Sequence, residues 1–187
     1  MKVTELSIPG VKLIEPVYFE DYRGYYCETY SKRTFHEIGI DDEFVQDNHF
    51  LSMERGTIRG IHFQNAPHAQ AKLLRCTRGS LLDVVVDLRK GSGTYRKWIS
   101  VILSAENRKQ IYIPKGFGHA CMSLQDMTEG QYKVDCLYAP EYDRAIVWND
   151  PEIGIEWPDI DVIISSKDKM APLLKDSDVN FVWSDEK

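Results

Sequence analysis

No apolar run in this chain approaches the roughly 18 residues that a membrane-spanning helix needs. The opening stretch, MKVTELSIPGVKLIEP, carries neither a long apolar segment nor a small-residue cleavage site, so no signal peptide is expected. Cysteine is sparse. Cys27, Cys76, Cys121 and Cys136 form no C-x-x-C pair and are too few for a disulfide framework, which fits a reducing cytoplasm. Positive charge is short as well: 23 Lys and Arg stand against 29 Asp and Glu, for a net charge of −6. That balance argues against nucleic acid as a partner. It leaves room for a small anionic ligand, because a few arginines in one cleft outweigh a negative surface. Repeats, low-complexity tracts and interior linkers are all missing, and 187 residues suit one domain over residues 1–187 with a real core.

Strand signals dominate what is present. AKLLRCTRGSLLDVVVDLR reads as Lys72–Thr77, a turn at Gly79, then Ser80–Asp87. KWISVILS alternates from Lys97 to Ser104, and RKQIYIPKG is a short strand stopped by Pro114 and Gly116. GHACMSLQD, GQYKVDCLYAP and RAIVWND follow as three more. Turn residues recur roughly every 8 to 12 positions, the spacing of an all-β sandwich or barrel. Helix signals are few. SKRTFHEIGI has Ser31 as an N-cap and Gly39 as a stop, and SSKDKMAPLL has room for one or two turns. The closing SDEK is expected to fray.

RGIHFQ places His62 in a strand, on the side it shares with Gly60 and Gln64 by alternation. From residue type alone it is either a hydrogen-bonded barrel histidine or a base facing a cavity. Two stretches look like the paired motifs of a cupin, the double-stranded β-helix barrel. One is Pro114-x-Gly116-x-x-His119; the other is altered to His62-Phe63-Gln64, without the second histidine and the glutamate of metal-binding cupins. A divalent metal generally wants three protein ligands or more, so the spacing argues against a metal site.

FVQDNHFLS, GTIRGIHFQ, KLLRCTRGSLLDVVVDLRKGSGTYRKW, LSAENRKQIYIPKGFGHA and IVWNDPEIGIEWP together resemble the dTDP-4-dehydrorhamnose 3,5-epimerases, from about Ile14 to Leu174. The resemblance implies an all-β, cupin-type jelly-roll barrel with a few short peripheral helices. It implies a cofactor-free and metal-free isomerase, a homodimer with swapped edge strands. The implied substrate is dTDP-4-dehydro-6-deoxy-D-glucose, epimerised at C3 and C5 on the route to dTDP-L-rhamnose, a cell-surface sugar. Proton abstraction next to a ketone needs a base and an acid on opposite faces of the ring. It also needs fixed donors at the enolate oxygen.

Residue by residue, His62 matches the family's base and Asp168 the aspartate that orients it. Asp168 also lies in Ser165-x-x-Asp168, a pattern close to a capping box. Tyr132 matches the proton donor and Lys72 the lysine at the substrate carbonyl. His119 matches a second pocket histidine that hydrogen-bonds the sugar. Arg23 and Arg59 match positions that bind the nucleotide-sugar, as guanidinium forks suit a diphosphate. Glu28, Gln46, Asn48 and Lys167 match further ligand positions. Tyr138 matches the tyrosine stacked on thymine. Asp143 stands where glutamate is more usual.

Two other departures flank the active-site strands. GHACMSL replaces a glycine and a bulky aromatic after the histidine, and Gly130-Gln131 precede Tyr132 where apolar residues are commoner. They leave open a 3-only or 5-only epimerase acting on another dTDP-4-keto-deoxysugar. A 3,4-ketoisomerase is more remote, since the His-Lys-Tyr set sits in the epimerase motifs. A non-catalytic nucleotide-sugar-binding cupin would not need a proton donor opposite a base. A metal-dependent cupin enzyme is disfavoured by the altered first motif.

Overall fold

The computed structural model describes residues 1–184, so the fraying expected at the closing SDEK lies, beyond Ser184, outside the described residues. Two sheets face one another. The first runs in the order β1 (Lys2–Glu5), β2 (Lys12–Glu15), β10 (Gln110–Ile113), β7 (Lys72–Arg78), β12 (Thr128–Val134), β5 (Gln46–Ser52). The second runs β13 (Asp143–Ala145), β6 (Thr57–Gln64), β11 (Phe117–Ser123), β8 (Ser80–Asp87), β9 (Trp98–Ser104), with β14 (Ile163–Ile164) parallel to β6. A separate hairpin pairs β3 (Phe19–Asp21) with β4 (Gly24–Tyr26). The only α-helices among the described residues are α1 (Lys32–Glu37) and α2 (Ser166–Lys169). No helix there is long and apolar enough to cross a membrane.

Alternation along the strands sorts the apolar residues into three layers. Leu74, Val85, Leu103, Ile111 and Cys121 meet between the sheets. Val84, Val86 and Ala120 point the other way and are covered by the C-terminal residues Val179 and Phe181. On the outside of the first sheet, Leu73 and Tyr112 pack with Phe35 of α1. SLLDVVVD is therefore nearly continuous in apolar residues because β8 is covered on both faces.

Most expected strands form close to their expected limits. The Gly79 turn joins β7 to β8, and Ser31 and Gly39 flank α1. RAIVWND departs from expectation. Only Asp143–Ala145 pairs as a strand. Val147 N–H bonds instead to Pro172 O, and the chain then turns on the Asp150 carboxylate, which accepts from the backbone of Glu152 and Ile153.

Strand β6 is irregular at the point that matters most. His62 is the Cα partner of His119, and Arg59 that of Cys121. Two residues, Gly60 and Ile61, thus oppose the single Ala120, which is a β-bulge. Strict alternation would send Arg59 and His62 to opposite faces; the bulge lets both line one cavity. Gly60 has φ +125, and a Cβ there would lie 2.6 Å from both Ala120 Cβ and the His119 carbonyl oxygen. Gly60→Ala should therefore cost about 2 kcal/mol or more of stability through strain and displacement of β11. Urea unfolding measures this; a variant as stable as the parent would mean the bulge adapts freely.

Candidate active site

Between the sheets, where inward positions turn polar, lies a cavity of ≈ 400 Å³. Polar groups withdrawn from water cost free energy unless paired, so this concentration of them marks a candidate site. The second sheet supplies His62 and Arg59 from β6 and His119 from β11; the first supplies Lys72 from β7, Tyr132 from β12 and Asn48 from β5.

His62 Nε2 lies 2.6 Å from Asp168 Oδ1. A carboxylate only accepts, so Nε2 carries the proton and Nδ1 the lone pair. Asp168 is buried at the start of α2. Burial alone would raise its carboxyl, but the His62 bond, with Ser165 and the Gly60 backbone N–H, outweighs it and holds the group below the usual carboxylate range. The Ser165-x-x-Asp168 pattern is real too: Ser165 Oγ accepts from Asp168 N–H at 3.1 Å. Capping and ring orientation coexist, because the cap uses the backbone of Asp168 and leaves its side chain for the histidine.

A second pair lies beside the first. His119 Nε2 is 2.8 Å from Asp83 Oδ2, and Asp83 is fully buried on β8. Sequence reasoning missed Asp83. Its signal was a lone carboxylate inside SLLDVVVD, at an inward position between Leu81 and Val85.

Lys72 is buried and makes no hydrogen bond or ion pair among the described residues. Burial pulls its ammonium down to about 8, against the opposing attraction of Asp83 and Asp143. Its Nζ stands 5.9 Å from the centre of the Tyr132 ring. Burial pushes the Tyr132 phenol up from its ordinary value. Near neutral pH the cavity therefore holds a charged lysine and a protonated phenol on one wall and a carboxylate-oriented imidazole on the other.

The rim is a polar cluster. Asp143 accepts from Lys167 Nζ at 2.6 Å and lies 3.4 Å from the Tyr138 hydroxyl; the Lys167 ammonium is raised chiefly by that Asp143 bond. Gln46 donates to Asn48 Oδ1 at 2.9 Å and accepts from Tyr138 N–H. Two expected ligands stand apart from this cavity. Arg23 lies in the turn of the β3–β4 hairpin, paired with Asp21, and Glu28 accepts from Thr34 Oγ1. The reason is topological: Arg23 is on a hairpin that belongs to neither large sheet, and Glu28 lies in the segment between that hairpin and α1.

A model of the family described as dTDP-4-dehydrorhamnose 3,5-epimerase matches residues 5–176. The chain belongs to that family. A Sinorhizobium fredii dTDP-4-dehydrorhamnose 3,5-epimerase is 48% identical over 184 residues, covering 98% of this chain and 94% of the relative. Among solved structures, the Legionella pneumophila dTDP-6-deoxy-D-glucose-3,5-epimerase in complex with dTDP-4-keto-L-rhamnose superposes with a TM-score of 0.93 at 38% identity, over 98% of this chain and 99% of that one. A 3'-monoepimerase from Streptomyces bikiniensis in complex with dTDP-quinovose also superposes, with a TM-score of 0.85 at 40% identity over 91% of this chain and 86% of that one. The epimerase scaffold, a two-sheet antiparallel cupin barrel, is thus shared by enzymes that differ in how many carbons they invert.

Within this family member the Asp168 carboxylate has a testable signature. Its pKa is depressed in the folded state, so its contribution to stability is present above the unfolded value near 4 and is lost as pH falls through the folded value. Asp168→Asn should cost about 2 kcal/mol at pH 7, and the gap to the parent should close below about pH 4. Denaturant titration across pH checks this; a gap unchanged down to the acid limit would mean the charge of Asp168 contributes nothing.

Proposed function

We propose that this chain converts dTDP-4-dehydro-6-deoxy-D-glucose to dTDP-4-dehydro-L-rhamnose by inverting C3 and C5. The observation that carries this reading is the placement of an oriented imidazole and a protonated phenol on opposite sheets, with an ammonium beside the phenol. Both carbons are α to the C4 ketone. His62 Nδ1 takes the proton from one of them, and the C–H electron pair moves into an enolate whose charge rests on the C4 oxygen. The buried Lys72 ammonium stabilises that oxygen. Tyr132 then gives its hydroxyl proton to the opposite face of the carbon. The imidazolium loses its proton to solvent and the phenolate regains one, and the cycle repeats at the second carbon. Protons alone move and no electron is gained or lost, so the residues present suffice without a cofactor or metal. Asp168 positions His62 and stabilises its cation. His119, held by Asp83, together with Asn48 and Gln46 hydrogen-bonds the sugar. Arg59, Lys167, Asp143 and Tyr138 serve the nucleotide end.

The assay is conversion in D₂O, read by the position of the label. The parent enzyme should place deuterium at both C3 and C5 of the product. His62→Asn should lower turnover by about 10²- to 10⁴-fold with the fold intact. Label at C3 alone would make the chain a 3-epimerase, and no label would make it a binding protein.

The functional unit is proposed to be a homodimer of single cupin domains. Phe19, Tyr22 and Tyr26 of the hairpin are 65%, 96% and 72% exposed, an apolar surface unusual for a monomer. A partner that covers this hairpin would receive Arg23 and Glu28 at its own cavity. Four free cysteines fit a cytoplasmic site of action. Light scattering should give twice the chain mass at micromolar concentration; an active monomer there would contradict the dimer.

A further inference from the structure

Gly130 is a glycine for reasons of space. It makes no turn, its φ lies outside the left-handed region, and it is the Cα partner of Phe50 in the β5–β12 ladder. A Cβ at position 130 would lie 2.6 Å from Phe50 Cε1 and closer still to Cζ. The Phe50 ring therefore lies across the backbone of the neighbouring strand, in the gap left by the missing side chain, and lines the cavity. On this ring rests Arg59, which comes from the opposite sheet. Its guanidinium carbon is 5.2 Å from the ring centre. Its Nη2 donates to Leu51 O at 2.8 Å and its Nε to Ser52 Oγ at 3.3 Å. Three consecutive residues of β5, Phe50 to Ser52, thus hold one guanidinium. No carboxylate pairs with Arg59 among the described residues, and only two of its five N–H groups are taken. A fixed cation without a counter-ion, lining a cavity, is arranged for an anion.

We propose that Phe50, seated on Gly130, is a positioning residue that fixes Arg59 to receive the diphosphate of the sugar nucleotide. This rests on the sugar-nucleotide reading of the cavity. The ring supplies a π face for the guanidinium and stops it from swinging along β5. It takes no part in proton transfer, so its loss should weaken binding of the anion and spare the chemistry.

Calorimetric titration of the full-length protein with dTDP, paired with saturating-substrate exchange in D₂O, tests the proposal. Phe50→Leu keeps bulk but removes the π face and should weaken dTDP binding by about tenfold. Phe50→Tyr keeps the face and should bind within about twofold of the parent, and both should exchange deuterium at saturation within about threefold of it. Gly130→Ala, which pushes the ring away from the other side, should weaken dTDP binding as Phe50→Leu does. In an Arg59→Ala background Phe50→Leu should add no further loss, because both changes remove one interaction. Additive losses, parental dTDP affinity in Phe50→Leu, or a fall in saturated exchange with dTDP affinity unchanged would each overturn the role assigned to Phe50. A parent protein that does not bind dTDP at all would instead overturn the sugar-nucleotide reading beneath it, and the Phe50 role with it.

Discussion

Everything in the cavity depends on one irregularity, the place where β6 spends two residues, Gly60 and Ile61, against the single Ala120 of β11. The extra residue turns Arg59 toward the same space as His62. It brings His62 level with His119, so that two histidines stand side by side, each bound to a carboxylate behind it. It also sets the Gly60 backbone N–H to help hold the Asp168 carboxylate ionised. A regular strand would put His62 and Arg59 on opposite faces of the sheet. The substitution of one hydrogen atom for a methyl at Gly60 is what permits the close approach of β11.

The remainder of the barrel offsets what this polar interior costs. A buried, unpaired lysine and two buried aspartates are unfavourable in isolation. Around them Leu74, Val85, Leu103 and Ile111 close the space between the sheets, while Val84, Val86 and Ala120 anchor β8 and β11 from outside. β8 carries both jobs at once: its even positions pack outward, and its odd positions run Leu81, Asp83, Val85 into the interior. Burial without a paired carboxylate is expressed in the lowered pKa of Lys72.

The sequence revealed some of this and concealed the rest for physical reasons. The Gly79 turn and the alternation on either side of it made β7 and β8 legible; the Ser165 cap did so for α2, whereas Ser31 precedes α1 without a side-chain cap bond. Strands β1 and β2 passed unread because each is only four residues long, and β5 because its inward positions include the polar Gln46, Asn48 and Ser52, so its alternation in burial leaves no apolar period. His62, Lys72, Tyr132, His119 and Asp168 were legible through the family motifs, not through pattern. Periodicity could not have put Arg59 beside His62, since a bulge inverts the rule that alternation relies on. Asp83 was concealed by its setting in an apolar run. Phe50 and Gly130 lie far apart in the chain and acquire meaning only as neighbours across a ladder. Arg23 and Glu28 resemble ligands in sequence, yet Arg23 sits on a hairpin that belongs to neither large sheet and Glu28 in the segment that follows it, both away from the cavity.

In the proposed reaction protons leave one face of the sugar and arrive on the other, from groups carried by different sheets. The most direct measurement is the ratio of deuterium exchange to inversion in Tyr132→Phe, which removes one hydroxyl and keeps the ring that packs beside Leu74 and Lys72. His62 and Lys72 would still form the enolate, and solvent would return deuterium to the face from which the proton left. The predicted result is label washing into the substrate with little inverted product. Inversion of both centres at near the parent rate would contradict the two-sided mechanism and remove Tyr132 from it.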